Sequence, residues 1–90
     1  MFTYRIVIGD LMKIYEAIAI RINKLCDERN ISINKLASIS CLTQSTVQHL
    51  VDNRNKNVKI LTLVRICDGL GIKLEDFFHD TVFNDIDRED

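Results

Sequence analysis

Residues 32–53 read SINKLASISCLTQSTVQHLVDN, two short amphipathic segments joined by a tight connection. Ser32 suits an N-cap, and behind it Ile33, Leu36 and Ala37 share one stripe while Asn34, Lys35 and Ser38 point away. This predicts one short helix. After Ser40, Cys41 and Leu42, Thr43 offers a second N-cap, and Val47, Leu50 and Val51 recur at i, i+3 and i+4. This predicts another. Gln44, Ser45, Gln48, His49 and Asp52 occupy the arc opposite the second apolar stripe. That arc is nearly uncharged and rich in hydrogen-bonding groups, a surface suited to base edges. An ordinary exposed helix also shows Gln, Ser and His to water, so the face alone decides nothing; its two-helix setting gives it weight.

Two helices crossing at roughly 90–120° need a small residue where their backbones approach, and a tight turn. Ala37 is the small residue, Cys41 falls in the turn, and Val47 is placed to plug the space between the helices. Leu36, Ala37, Leu42, Val47 and Leu50 together resemble the helix-turn-helix of the Cro/phage-repressor-like (Xre) family of transcriptional regulators. The resemblance continues through Asn55–Phe78 and covers roughly residues 18–78. It implies an all-α, five-helix lambda-repressor-like bundle whose second motif helix enters the major groove of double-stranded DNA. The chain departs from the family pattern in the turn, where relatives usually carry Gly and this chain has Cys41. The backbone must therefore accept a positive φ at a cost of about 1 kcal/mol or turn another way. Asn53 stands where Gly often follows the reading helix, a substitution Asn tolerates. Cys26 and Val51 occupy the positions where phage repressors often bury an Arg–Glu pair, and an apolar pair there threatens neither fold nor function.

Within this frame Gln44 and Gln48 are the leading base readers, because an amide can bond adenine N6 and N7 together. Ser45 and His49 lie beside them and could reach bases or phosphates. Thr43 and the first N–H groups of its helix suit a phosphate, a helix N-terminus being an anion site. Arg54, Lys56 and Lys59 follow in an Asn-rich loop, read as a second phosphate clamp rather than a merely solvated turn. Lys35 on the outer face of the first motif helix is a further phosphate candidate.

The remaining segments support the motif. Asp10 is expected to cap a long helix from Leu11 to about Arg29, with Leu11, Ile14, Ile18, Ile22 and Leu25 on its stripe and Ile20 alone on its polar side. Asn57 is expected to cap a fourth helix in which Ile60, Leu63, Val64, Cys67 and Leu70 line the core and which Gly71 ends. Residues 73–79 form a short fifth helix with Leu74, Phe77 and Phe78 closing the bundle. The division is thus an N-terminal arm (1–10), a helix-turn-helix domain (11–79) and an acidic tail (80–90). In the arm, Thr3, Arg5 and Val7 alternate with Tyr4, Ile6 and Ile8 as in a short strand that pairs with another subunit, docks on the bundle or stays disordered; Met12 could itself be an initiator.

Ninety residues hold one core but not a core plus an enclosed active site. No run approaches the ~20 apolar residues of a membrane span, FTYRIVI is too short for a signal sequence, and a soluble cytoplasmic protein is expected. Cys26, Cys41 and Cys67 form no C-x-x-C pair and read as buried reduced thiols; His49 and His79 are too scattered for zinc, and no cofactor is implied. The net charge of -1 is unusual for a DNA binder, but its distribution is uneven. Residues 32–65 carry five cations and one anion, whereas residues 66–90 carry two cations and eight anions. Such a dipole would orient the molecule on DNA, although charged tails are also common simply because they stay solvated.

Three function classes follow. A sequence-specific regulator would act as a homodimer, because one helix reads only a few base pairs. An interaction module or antitoxin-like partner, engaged through the N-terminal segment or the acidic tail, would account for the weak basicity. An enzyme is disfavoured, with no paired carboxylates in a cleft-forming segment and no Ser/His/Asp arrangement.

Overall fold

The computed structural model describes residues 11–88. Among them are five α-helices, α1 (Ile14–Arg29), α2 (Ile33–Ile39), α3 (Gln44–Val51), α4 (Ile60–Leu70) and α5 (Leu74–Phe78), followed by a 3-10 turn (Thr81–Phe83). The expected arm and the Asp10 cap lie outside the described residues. Ile18, Ile22, Leu25, Leu36, Val47, Leu50, Leu63, Ile66 and Phe77 form one continuous core, with α3 packed against α1 and α2 and α2 against α4. The bundle is all-α, as the helical periodicity predicts.

Two N-caps act as expected: Ser32 Oγ accepts from the Lys35 N–H and Thr43 Oγ1 from the Thr46 N–H. The other starts differ. α1 begins at Ile14, not Leu11, because Met12 is drawn into a parallel bridge with Ile86. Its backbone N–H donates to Asp85 O at 3.2 Å and its carbonyl accepts from Asp87 N at 2.8 Å. The Lys13 N–H, left at the helix threshold, donates to Glu16 Oε1 at 2.8 Å. α4 begins after Lys59 rather than Asn57, and the Asn57 N–H, two residues upstream, donates to Asn55 Oδ1 at 3.1 Å in a local turn.

Four helices end by one device. Asn30, Cys41, Asn53 and Gly71 all adopt positive φ, at 54°, 57°, 61° and 71°. In each case the next residue's N–H reaches back five positions: Ile31 to Cys26 O, Leu42 to Ala37 O, Arg54 to His49 O and Ile72 to Cys67 O. This is the Schellman arrangement, which satisfies carbonyls that a helix end would otherwise orphan and ordinarily seats an apolar residue after the left-handed one. Ile31, Leu42 and Ile72 do pack on the core.

The buried faces depart from the expected stripes in two helices. On α1, Ile14 is exposed while Ala17 and Arg21 are buried; Ile20 is exposed as its place on the polar side predicts. Arg21 Nε donates to Phe77 O at 2.7 Å and Nη2 to Asp76 O at 2.8 Å, so a guanidinium closes the end of α5. On α4, Ile60 is 59% exposed and Leu61 57%, whereas Ile66 is fully buried. Leu63, Ile66, Cys67 and Leu70 share one side of α4 opposite Thr62, Arg65 and Asp68, so spacing does choose a face; Ile60 and Leu61 stay exposed in the first turn, and the buried stripe is centred on Ile66 rather than Val64. Gly69 lies against the end of α2, where a Cβ would lie 2.7 Å from Ile39 O and 2.8 Å from Ser40 Oγ.

Residues 80–88 of the acidic tail are tied to the bundle. Asp80 pairs with Arg21 at 3.4 Å and Lys24 at 2.6 Å, its carboxylate also caps the 3-10 turn through the Val82 N–H, and Asp87 pairs with Lys13 at 3.0 Å. Phe83 packs at a tilt against Phe78 and Phe77, ring centroids 4.9 and 6.1 Å apart. The segment is a strap bound to α1 and α5, because its acids meet basic partners and its aromatic ring meets an apolar surface.

Candidate nucleic-acid interface

α3 is anchored by Val47, which has no exposed surface, and by Leu50, at 1%. Those two anchors fix the helix's rotation and turn Gln44, Ser45 and His49 fully outward with Gln48 half-buried beside them. The four expected base readers therefore share one exposed face. Thr43, at its N-terminus, is exposed, and its hydroxyl both accepts from the Thr46 N–H at 3.1 Å and shares a 2.8 Å hydrogen bond with Thr46 Oγ1. Its side chain serves the helix first, while the N–H groups of Gln44 and Ser45 precede the first intrahelical bond and point out of the helix start.

Arg54 stands at the point where α3's Schellman end differs from the other three. Ile31, Leu42 and Ile72 fill the apolar slot after the left-handed residue; after α3 the slot holds Arg54, with 66% of its side chain exposed. The Arg54 backbone is thus fixed, through Arg54 N to His49 O at 2.9 Å, and its exposed side chain starts beside the end of the α3 face.

Lys56 and Lys59 continue the basic run, but they diverge. The Lys56 ammonium lies 5.8 Å from the Tyr15 ring centroid, near the start of α1. Lys59 borders a groove between the starts of α3 and α4, lined also by Leu42, Thr46, Asn55, Thr62 and Arg65. Arg65 is a cation that the linear motif does not single out: it lies 22 residues beyond Thr43 in sequence, and only the packing of α4 brings it to this groove. Lys35 is exposed on α2.

Asp52, on the same arc as the glutamines but without an expected role, also takes part. Its Oδ1 accepts from Gln48 Nε2 at 3.0 Å, and its Oδ2 lies 3.9 Å from Arg54 Nη2. One carboxylate therefore touches both a base-reading candidate and the clamp.

The thiols divide by position. Cys26 and Cys67 are buried, and burial pushes both thiols up from their ordinary pKa, with Asp27 adding to the rise at Cys26 and Asp68 and Asp76 adding to it at Cys67. Cys41 is exposed, contrary to the expectation of three buried thiols, because its left-handed backbone directs it out of the turn. Among the described residues no group of three or more His, Cys, Asp or Glu side chains is arranged to hold a metal ion, and no helix is long and apolar enough to cross a membrane.

The family model of the Cro/C1-type HTH DNA-binding domain matches residues 21–81. The chain belongs to that family. No curated protein and no solved structure matches it. The matched stretch of this Cro/C1-type domain contains the whole helix-turn-helix, the basic loop and α4 and α5, and identifies the chain as carrying a DNA-binding domain. The strap beyond Thr81, with Phe83, Asp85 and Asp87, lies outside the match.

Proposed function

We propose that this protein is a sequence-specific, double-stranded DNA-binding transcriptional regulator that inserts α3 into the major groove. The observation that carries this reading is the α3 surface itself: an outward face of Gln44, Ser45, Gln48 and His49 on buried Val47 and Leu50, ending at an exposed, backbone-held Arg54. In this reading Gln44 and Gln48 read bases, Ser45 and His49 flank them, and the start of α3 with Thr43 receives one phosphate. Arg54, Lys56, Lys59 and Arg65 follow the backbone on one side and Lys35 on the other.

A single reading helix contacts only a few base pairs, so the acting species is a homodimer on two half-sites one helical turn apart. Exposed Ile60 and Leu61 at the start of α4 offer apolar area for that pairing.

Binding of the full chain to duplex pools at several salt concentrations tests the proposal. A regulator gives a steep fall of log K with log salt. Gln44→Ala should relax preference at one base pair by about 1–3 kcal/mol, while Lys56→Ala should weaken all sequences alike and reduce the salt slope by about 1. Absence of salt-sensitive binding at low ionic strength would sink the proposal and favour the same fold acting as a protein-interaction module or antitoxin-like partner.

A further inference from the structure

Asp52 is the sole acid between Ser32 and Arg65, and it lies on the α3 face opposite the apolar anchors. A carboxylate there repels phosphate, so on electrostatics alone it opposes DNA binding. Its geometry supplies a different role. Gln48 Nε2 donates to Asp52 Oδ1 at 3.0 Å, one helical turn along the same face. An ionised carboxylate only accepts hydrogen bonds, so the amide atom turned toward it must be the nitrogen; reversed, Oε1 would face Oδ1 lone pair to lone pair. The carboxylate thereby removes the two-fold ambiguity of the glutamine amide. Gln48 keeps one N–H and its Oε1 for a ligand, a donor and an acceptor in a set order. Adenine presents the complement, N7 accepting and N6 donating, whereas guanine presents two acceptors. Arg54, 3.9 Å from the other carboxylate oxygen, offsets the charge.

Resting on α3 as the DNA-reading helix, we propose that Asp52 is a positioning residue that sets the amide of Gln48 to read adenine in one strand orientation. Asp52 then exchanges some general affinity for discrimination. Removing it frees Arg54 and deletes an anion, so binding to unrelated duplexes tightens. The same change lets the Gln48 amide turn over, so preference at one base pair falls.

The test is selection from randomised duplexes, with affinity and salt slope measured for the wild-type chain, Asp52→Ala, Asp52→Asn, Gln48→Ala and Gln48→Ala/Asp52→Ala, each checked for helix content. Asp52→Ala should lower the adenine preference at one base pair by about two- to tenfold, the worth of one net hydrogen bond. It should also tighten non-specific binding and steepen the salt slope. Asp52→Asn, which removes the charge but keeps a hydrogen-bonding group, should show the gain in affinity with a smaller loss of preference. In the Gln48→Ala background Asp52→Ala should leave that base pair's preference unchanged. A wild-type chain that binds without sequence preference overturns both the reading role of α3 and the role of Asp52. A selective wild type whose Asp52→Ala variant changes all base pairs alike, or still alters preference without Gln48, overturns the positioning role alone.

Discussion

At Cys41 the backbone sits at φ 57° in the turn between α2 and α3, a conformation that costs a residue with a Cβ about 1–2 kcal/mol. The turn is kept because Leu42 beyond it docks on the core and its N–H closes onto Ala37 O at 2.9 Å. Cys41→Gly should therefore raise stability by about 0.5–1 kcal/mol after glycine's greater unfolded-state entropy is subtracted, and Cys41→Val should lower it; thermal unfolding of the two variants checks the sign. A thiol reagent should label Cys41 ahead of Cys26 and Cys67, which are buried. Asp80 links stability to pH. Its hydrogen bond from Lys24 and then that from the Val82 N–H hold its carboxyl below the usual carboxylate pKa, with Arg21 contributing a smaller share. A pKa lowered on folding gives stability that is present above the unfolded value and lost as pH falls through the folded one. Unfolding measured below about pH 4 should thus show a loss of stability that Asp80→Asn reduces, the wild type and variant converging as the pH drops.

Helix ends and contacts decide the matters at the next scale. The residue pattern displays both motif caps and the apolar anchors of α3, because capping and i, i+3, i+4 spacing are local in sequence. It shows the Gly71 end for the same reason. The same geometry at Asn30 is not marked by its residue type, and at Cys41 and Asn53 it is suggested only by the family resemblance, which left the turn at Cys41 open, since glycine alone lacks the Cβ that disfavours a positive φ. Gly69 lies inside α4, where local propensity favours alanine by about 1 kcal/mol. The backbone of Ile39 stands 2.7 Å from where a Cβ would be, so the helix crossing prevails over propensity. Gly69→Ala should cost about 1–3 kcal/mol in chemical denaturation and loosen α2 against α4. A neutral or stabilising Gly69→Ala would show that the two helices can separate cheaply.

For the whole molecule, the strap of residues 80–88 changes the meaning of the charge imbalance. Asp80 is tied to Arg21 and Lys24 of α1 and Asp87 to Lys13 just before it, so part of the acidic surplus holds the bundle together. Phe83 joins Phe77 and Phe78 in one aromatic cluster. Phe83→Ala should cost about 1–2 kcal/mol, lowering the thermal midpoint by roughly 4–8 °C for each kcal/mol, while leaving the order of preferred DNA sequences unchanged. Pairing of two copies belongs to this scale as well. Leu61→Lys should shift sedimentation toward monomer if the exposed start of α4 carries the pairing, and an unchanged dimer would place it elsewhere.

The fold class, the helix-turn-helix, its caps and the outward face of Gln44, Ser45, Gln48 and His49 are all legible in the residues. Those follow from spacing along single helices and a residue's own chemistry. The roles of Arg21, Gly69 and Phe83, the exposure of Ile60 and Leu61, the turn taken at Cys41 and the neighbourhood of Arg65 emerge only from the packed bundle. Each depends on which surfaces meet across the bundle, and spacing within α4 does not say that its first turn, with Ile60 and Leu61, stays uncovered. The Gln48–Asp52 contact lies between the two. Its i, i+4 spacing is visible in the residues, but the hydrogen bond that orders the amide is a fact of geometry.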